Sequence, residues 1–211
     1  LPDKAIDRVF AVMALCPQHT FIVLTKRAKR MREWAESKKG HFTCEYLLGK
    51  SASRLMPLEN VWLGVSVESA DYTWRIDELR NTPAAIRLLS LEPLIAPLGE
   101  LNLSGIDWAL IGGESGPGAR PLNICLVRDI LRQCRFSKVH PFVKQLGSFP
   151  IIAPARQHHY DFGEEIGRKA RFSALDQQHP STGMWRVHFD DPKVGDPSEW
   201  ALDLRVREWP A

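Results

Sequence analysis

The chain has 211 residues, 44% of them hydrophobic and 25% charged, and a net charge of +3. That length buries a substantial core in one domain with an appendage. No apolar run approaches the length of a membrane helix, and so small a net charge does not by itself indicate a nucleic-acid partner.

LPDKAIDRVFAVMALCP reads as a helix to about Leu15, with Asp3 as its cap, Ile6, Val9, Phe10 and Met13 on one face, and Pro17 as its stop. FIVLT, Phe21 to Thr25, has no polar alternation and reads as a fully buried strand of a parallel sheet. KRAKRMREWAESKKG reads as a basic helix ending at Gly40, and His41 to Pro57 as short helix and loop. VWLGVSV from Val61 is a second strand. Asp71 to Arg80 follows as a helix that packs through Trp74, Ile76 and Leu79. Pro83 leads into a third strand, IRLLSL, and a loop with Pro93, Pro97 and Gly99 precedes a fourth, DWALIG. Asn123 to Cys134 is a helix with Ile124, Val127, Ile130, Leu131 and Cys134 on one face, and HPFVKQ is the fifth strand. After about Phe149 the periodicity fades. Residues 151–183, rich in His, Gln, Arg and Gly, read as loop. A short strand at Trp185 to Phe189, a turn with Pro192 and Gly195, and an amphipathic end complete the chain. Trp185, Trp200 and Trp209 bind this tail to the rest. Two regions result: a β/α unit over 1–149 and a loop-rich extension over 150–211 packing on it.

Each apolar run ends in a polar cluster, and helical stretches separate most of the runs. In a parallel sheet all such clusters fall on one rim, at the carboxyl ends of the strands, where β/α barrels and open α/β sheets build their sites. The rim gathers Thr25, Lys26, Ser66, Glu68, Ser90, Glu92, Gly112, Gly113, Glu114, Lys144 and Gln145 around one mouth.

GGESGPGARP, from Gly112 to Pro121, is the sharpest local signal. Adjacent glycines let a ligand approach the backbone, their amides can form a nest for an anion, and Glu114 supplies an acceptor. The plainer alternative is a tight turn with Glu114 in water. Glu68, Glu92 and Glu114 can together bind a cation, an amine or a ribose, or act as acid and base. Alternatively they pair with Arg27, Arg120 or Lys144. Lys26 and Arg27 suit a phosphate or carboxylate. The run KRAKRMR suits a nucleic-acid backbone or is simply a solvated helix face. Lys144 extends a buried strand and needs a carboxylate partner.

Cys16, Cys44, Cys125 and Cys134 form no CxxC pair and no zinc or iron–sulfur spacing, so no metal site is expected from them. They read as reduced thiols of a cytoplasmic protein. His158, His159, His179 and His188 read as surface histidines, and no GxSxG, P-loop or nucleophile–base pair is present.

FIVLTKRAKRM, NVWLGVSVES, IRLLSLEPLI, DWALIGGESGPGARP, PFVKQLG and GDPSEWALDLRVREWP, in this order, resemble a phage protein family named after gene products thirty-seven and sixty-eight. That family is similar to the radical S-adenosylmethionine enzymes. The resemblance implies a partial, TIM-like β/α barrel, S-adenosylmethionine and a [4Fe–4S] cluster held by a three-cysteine motif near the amino terminus of the full-length protein. Its rim glycines and acidic residues would hold the cofactor's amino and ribose groups. Lys26, Arg27 and Lys144 would hold the cofactor carboxylate or an anionic substrate.

The chain opens on a helix and carries no such cysteine motif. The expectation is therefore a carboxyl-terminal fragment that lacks the first strands, is inactive alone, holds neither cofactor nor cluster, and partners the missing segment of its own protein. Two rival readings remain: a noncatalytic nucleic-acid-binding accessory protein using the basic helix, and a barrel hydrolase using rim carboxylates with a divalent metal. The substrate, a small molecule or a nucleic acid, is open.

Overall fold

Short apolar runs bounded by proline, glycine and polar residues set the order of elements. The computed structural model describes residues 1–38, 40–43, 53–152, 171–174 and 184–210. In chain order they form α1 (Asp3–Leu15), β1 (Phe21–Thr25), α2 (Ala28–Ser37), β2 (Gly40–Thr43), β3 (Ser53–Met56), β4 (Val61–Ser66) and α3 (Trp74–Arg80). There follow β5 (Ile86–Leu91), β6 (Trp108–Gly112), β7 (Leu122–Asn123), α4 (Ile124–Ser137), β8 (His140–Gln145), β9 (Pro150–Ile152), β10 (Arg171–Ala174) and β11 (Trp185–His188).

The central sheet has five strands in the order β1-β4-β5-β6-β8, and every neighbouring pair is parallel. It is open, with β1 and β8 at its edges. Helices lie in the connections from β1 to β4, β4 to β5 and β6 to β8, whereas residues 92–107 cross from β5 to β6 without one.

One face of the sheet carries the helices. Val65, Leu89, Ala109, Ile111 and Val143 pack there with Ile76 and Leu79 of α3 and with Ile124, Val127, Ile130 and Leu131 of α4. A second cluster joins Phe10 and Ala11 of α1, Trp34 of α2 and Val61 and Leu63 of β4. On the other face, Trp62, Trp108, Phe142 and Trp209 form an aromatic group, with Trp108 and Trp209 centroids 4.7 Å apart. Gly64 leaves room on this face: a Cβ there would lie 2.5 Å from Leu88 Cγ and 2.8 Å from Leu24 Cδ2.

The two edges differ. Residues 206–208 run antiparallel along β8, bridging Phe142 to Arg207, with Val143 N donating to Val206 O at 2.7 Å and Glu208 N to Pro141 O at 2.9 Å. β1 has no outer neighbour among the described residues. FIVLT is therefore not fully buried as its composition suggests. Its exposure alternates, leaving Ile22 43% and Leu24 45% exposed, because nothing described covers that end of the sheet.

Other elements depart from the sequence reading. Pro2, not Asp3, stands at the cap position of α1, and Val9 is exposed. The basic helix stops at Ser37, and Gly40 opens a hairpin in which β2 pairs antiparallel with β3, where helix and loop were expected. The helix expected from Asp71 begins as a 3₁₀ turn at Ala70–Tyr72, and Trp74 at the head of α3 points substantially into solvent. Asn123 caps α4 as its sequence suggests, its side chain accepting from Cys125 N at 3.0 Å.

Beyond Phe149 the described residues include the expected strand at Trp185 and two more, β9 and β10, where loop was expected. β9, β10 and β11 join β7 in a four-stranded sheet of order β10-β11-β9-β7. β7 pairs with β9 in parallel, so this sheet draws on both sides of residue 149. Val187, Phe189, Val194, Trp200 and Leu204 enter the same core as the parallel strands. His158, His159 and His179 lie outside the described residues, as do most of residues 151–183. Among the described residues, no helix is long and apolar enough to cross a membrane.

Candidate binding rim

The carboxyl ends of β4, β5, β6 and β8 deliver polar groups as their alternation demands. Ser66 and Ser90 are register partners on adjacent strands, on the face opposite the helices. Just past β4, Glu68 is buried and faces two cations. Lys26 pairs with its Oε1 and Arg75 Nη1 with its Oε2 at 3.1 Å. Arg75, also buried, donates to Ser66 O at 2.7 Å. Burial raises the Glu68 pKa, but the Lys26 hydrogen bond, the residue's own backbone and the Lys26 and Arg75 charges outweigh it. The carboxyl is held below its ordinary value.

A second group lies at the end of β5 and β8. Lys144 Nζ stands 3.2 Å from Glu92 Oε1, and Gln145 Nε2 donates to the same oxygen at 3.2 Å. Gln145 Nε2 also donates to Gly113 O, while Gln145 Oε1 is buried without a partner. The Lys144 side chain, 58% exposed, has the carboxylate partner its position calls for.

The glycine loop sits between these groups and serves packing first. A Cβ on Gly112 would lie 3.0 Å from Glu92 Oε1. A Cβ on Gly113 would lie 2.7 Å from Leu146 O, so the chain's own backbone fills the space that the sequence reading reserved for a ligand. Gly113 N donates to Gln145 O and Gly116 N to Ser148 Oγ, so these two amides are already used. The left-handed conformation is needed at Gly116 and Gly118, with φ of +100° and +75°, rather than at the adjacent pair. Glu114 grips Arg120, which donates from N at 2.9 Å, Nε at 2.8 Å and Nη2 at 3.2 Å. These bonds lower the Glu114 pKa, and Glu114 and then Glu68 raise that of Arg120.

Thr25 stands apart from this mouth. Its Oγ1 accepts from Arg27 N at 3.0 Å, and it lines an apolar groove with Phe10, Leu24, Met31 and Trp34 between α1, β1 and α2. Most cations of the basic run are neutralised: Lys26 by Glu68, Arg30 by Asp3 at 2.5 Å, and Arg32 by Glu78 at 2.7 Å. Arg75 and Gly147 escaped the sequence reading. A lone arginine beside Ile76 on the packing face of a helix was the available signal for the first; nothing local marks the second.

The described cysteines are scattered. Cys16 follows α1, Cys125 is exposed, and Cys134 is buried in α4 with its thiol pushed up to about 12 by burial and the Glu208 charge. Among the described residues no group of three or more His, Cys, Asp or Glu side chains is placed to hold a metal ion. Cys44 lies outside the described residues.

A family model with the description "Protein of unknown function (DUF5131)" matches residues 1–200. The chain belongs to this family. In this DUF5131 chain the matched span takes in all five parallel strands and the four-stranded sheet. No curated protein and no solved structure matches the chain.

Proposed function

We propose that the rim at the carboxyl ends of the parallel strands binds the organic part of S-adenosylmethionine, in a partial, TIM-like β/α barrel related to the radical S-adenosylmethionine enzymes and to the phage family that the sequence resembles. The observation that carries this reading is the Glu92–Lys144–Gln145 group. It places a carboxylate, an ammonium and a buried, partnerless amide oxygen beside a glycine at the end of parallel strands.

The donor and acceptor set suits an amino-acid zwitterion carrying a ribose. Lys144 would meet the carboxylate, Glu92 the ammonium or ribose hydroxyls, and Ser66 and Ser90 the remaining polar edge. Glu68 and Lys26 would complete the far side, and Glu114 with Arg120 would flank it. When bound with a cluster, such a cofactor supplies radical chemistry. The described cysteines do not fit a cluster, so the role proposed for this chain, in place of the expectation that it holds no cofactor at all, is to bind and orient the organic part alone. Its free thiols favour a cytoplasmic setting.

Saturation-transfer NMR with S-adenosylmethionine tests the assignment on this chain. Transfer to the ribose and methionine protons is expected, and it should fall several-fold in Glu92→Gln and in Lys144→Ala. Absence of transfer, or equal transfer in parent and both variants, would overturn it.

A further inference from the structure

We infer that the surface where β1 and β4 give way to α2 and α3 docks single-stranded nucleic acid. It uses none of Glu92, Lys144 or Gly112, and it meets the proposed cofactor rim only through Arg75, which pairs with Glu68.

Trp74 opens α3 and is 48% exposed, and Tyr72, two residues earlier, is 41% exposed. The Arg75 guanidinium lies 4.1 Å from the Tyr72 ring centroid and 5.8 Å from that of Trp74, so both rings flank one fixed cation. Across a shallow depression of about 410 Å³ from Trp74 stand Arg27 and Lys29, at the start of α2. Arg27 is exposed and makes no ion pair among the described residues. The carboxylate nearest Lys29 is Glu33, at 4.0 Å, the outer limit of an ion pair.

An indole half in water contributes little to the core that α3 builds through Ile76 and Leu79. Beside exposed cations it forms a stacking platform next to a phosphate site. A single strand presents both parts together, bases with π faces and a phosphate on every residue. An acidic peptide would use the cations and leave the rings idle. A duplex keeps its base faces hidden within the stack. DNA and RNA share the base faces and phosphates that this patch addresses.

Fluorescence anisotropy with labelled oligothymidine and oligouridine, from low to rising salt, tests the proposal. Binding should weaken with a log–log salt slope of about −1.4 to −2.1, as expected for two or three phosphates neutralised on a single strand. Trp74→Ala should weaken binding roughly 5- to 100-fold, while Trp74→Phe retains most of it. Arg27→Glu should both weaken binding and flatten the slope by about 0.7. Arg132→Glu on α4 should behave as the parent. Thermal melts of each variant confirm folding, which exposed positions leave unchanged. Preference for one oligomer identifies the natural strand, and either preference supports the proposal. Lack of binding to both at low salt, parent-like affinity in Trp74→Ala, or equal competition by a polyglutamate peptide would overturn it.

Discussion

Gly113 and Gly147 meet backbone to backbone: a Cβ on Gly113 would stand 2.9 Å from Gly147 Cα, and one on Gly147 would stand 3.0 Å from Gly113 Cα. Gly147 also holds a φ of +79°, which few other residues adopt. The contact fastens the loop after β6 to the turn after β8, and Ser148 N donating to Glu114 O at 2.9 Å continues it.

Gly113→Ala should therefore destabilise the chain by about 2 kcal/mol, because the added methyl meets backbone atoms that cannot rotate away. Gly116→Ala should lose less, about 1 kcal/mol, from conformational strain alone, since a Cβ there meets nothing within 4 Å. Urea denaturation of both variants compares them. Equal losses would mean that the loop yields.

Glu68→Gln should destabilise the chain by about 2 kcal/mol at neutral pH, leaving buried Arg75 without its carboxylate. The pH dependence follows from the lowered folded pKa of Glu68. Its ionised pairing stabilises the fold above the unfolded carboxyl value and is lost as pH falls through the folded one. The gap between parent and variant should thus narrow as the pH drops below about 4.3. A gap unchanged into acid would show that Glu68 titrates normally.

Thiol labelling should separate the cysteines. Cys125, exposed at the start of α4, should react with a maleimide in the native state. Cys134, buried and with its thiol pushed up to about 12, should react only after denaturation. Peptide mapping by mass spectrometry assigns each site, and native labelling of Cys134 would contradict the packing of α4.

Trp209→Ala should lower stability by about 1–2 kcal/mol, because its ring packs 4.7 Å from Trp108 and 5.6 Å from Phe142. The emission of the remaining tryptophans should shift to longer wavelength as Trp108 gains water. An unchanged spectrum and melting curve would show the ring to be a bystander.

The parallel strands were legible because FIVLT, VWLGVS, IRLLSL, WALIG and HPFVKQ are apolar runs, most of them separated by helical patterns. Their shared rim followed from chain direction alone, and with it the placing of Glu92 near Lys144. What was hidden depends on partners distant in sequence. FIVLT resembles an inner strand in composition, and only the sheet order shows that Ile22 and Leu24 lie at an edge. Gly113 looked like a place for a ligand because its true neighbour, Gly147, lies on another strand's turn. The β2–β3 hairpin was missed because its runs are short and carry no strong turn signal. The four-stranded sheet was missed because β7 has only two residues and its pairing bridges two regions that composition separates.

The strip of backbone along β8 also constrains how this chain is made. Trp108 Nε1 donates to Glu208 O across 100 positions of sequence, and Val143 waits for Val206 in the same way. While residues 206–208 are still inside the ribosome, the emerging sheet has an unprotected border and an uncovered Trp108. Such long-range closure slows folding and leaves the nascent chain open to wrong partners. Completion of the sheet thereby waits on residues 206–208, so that a ribosome stalled near Trp200 would display a sticky intermediate rather than a smaller folded unit.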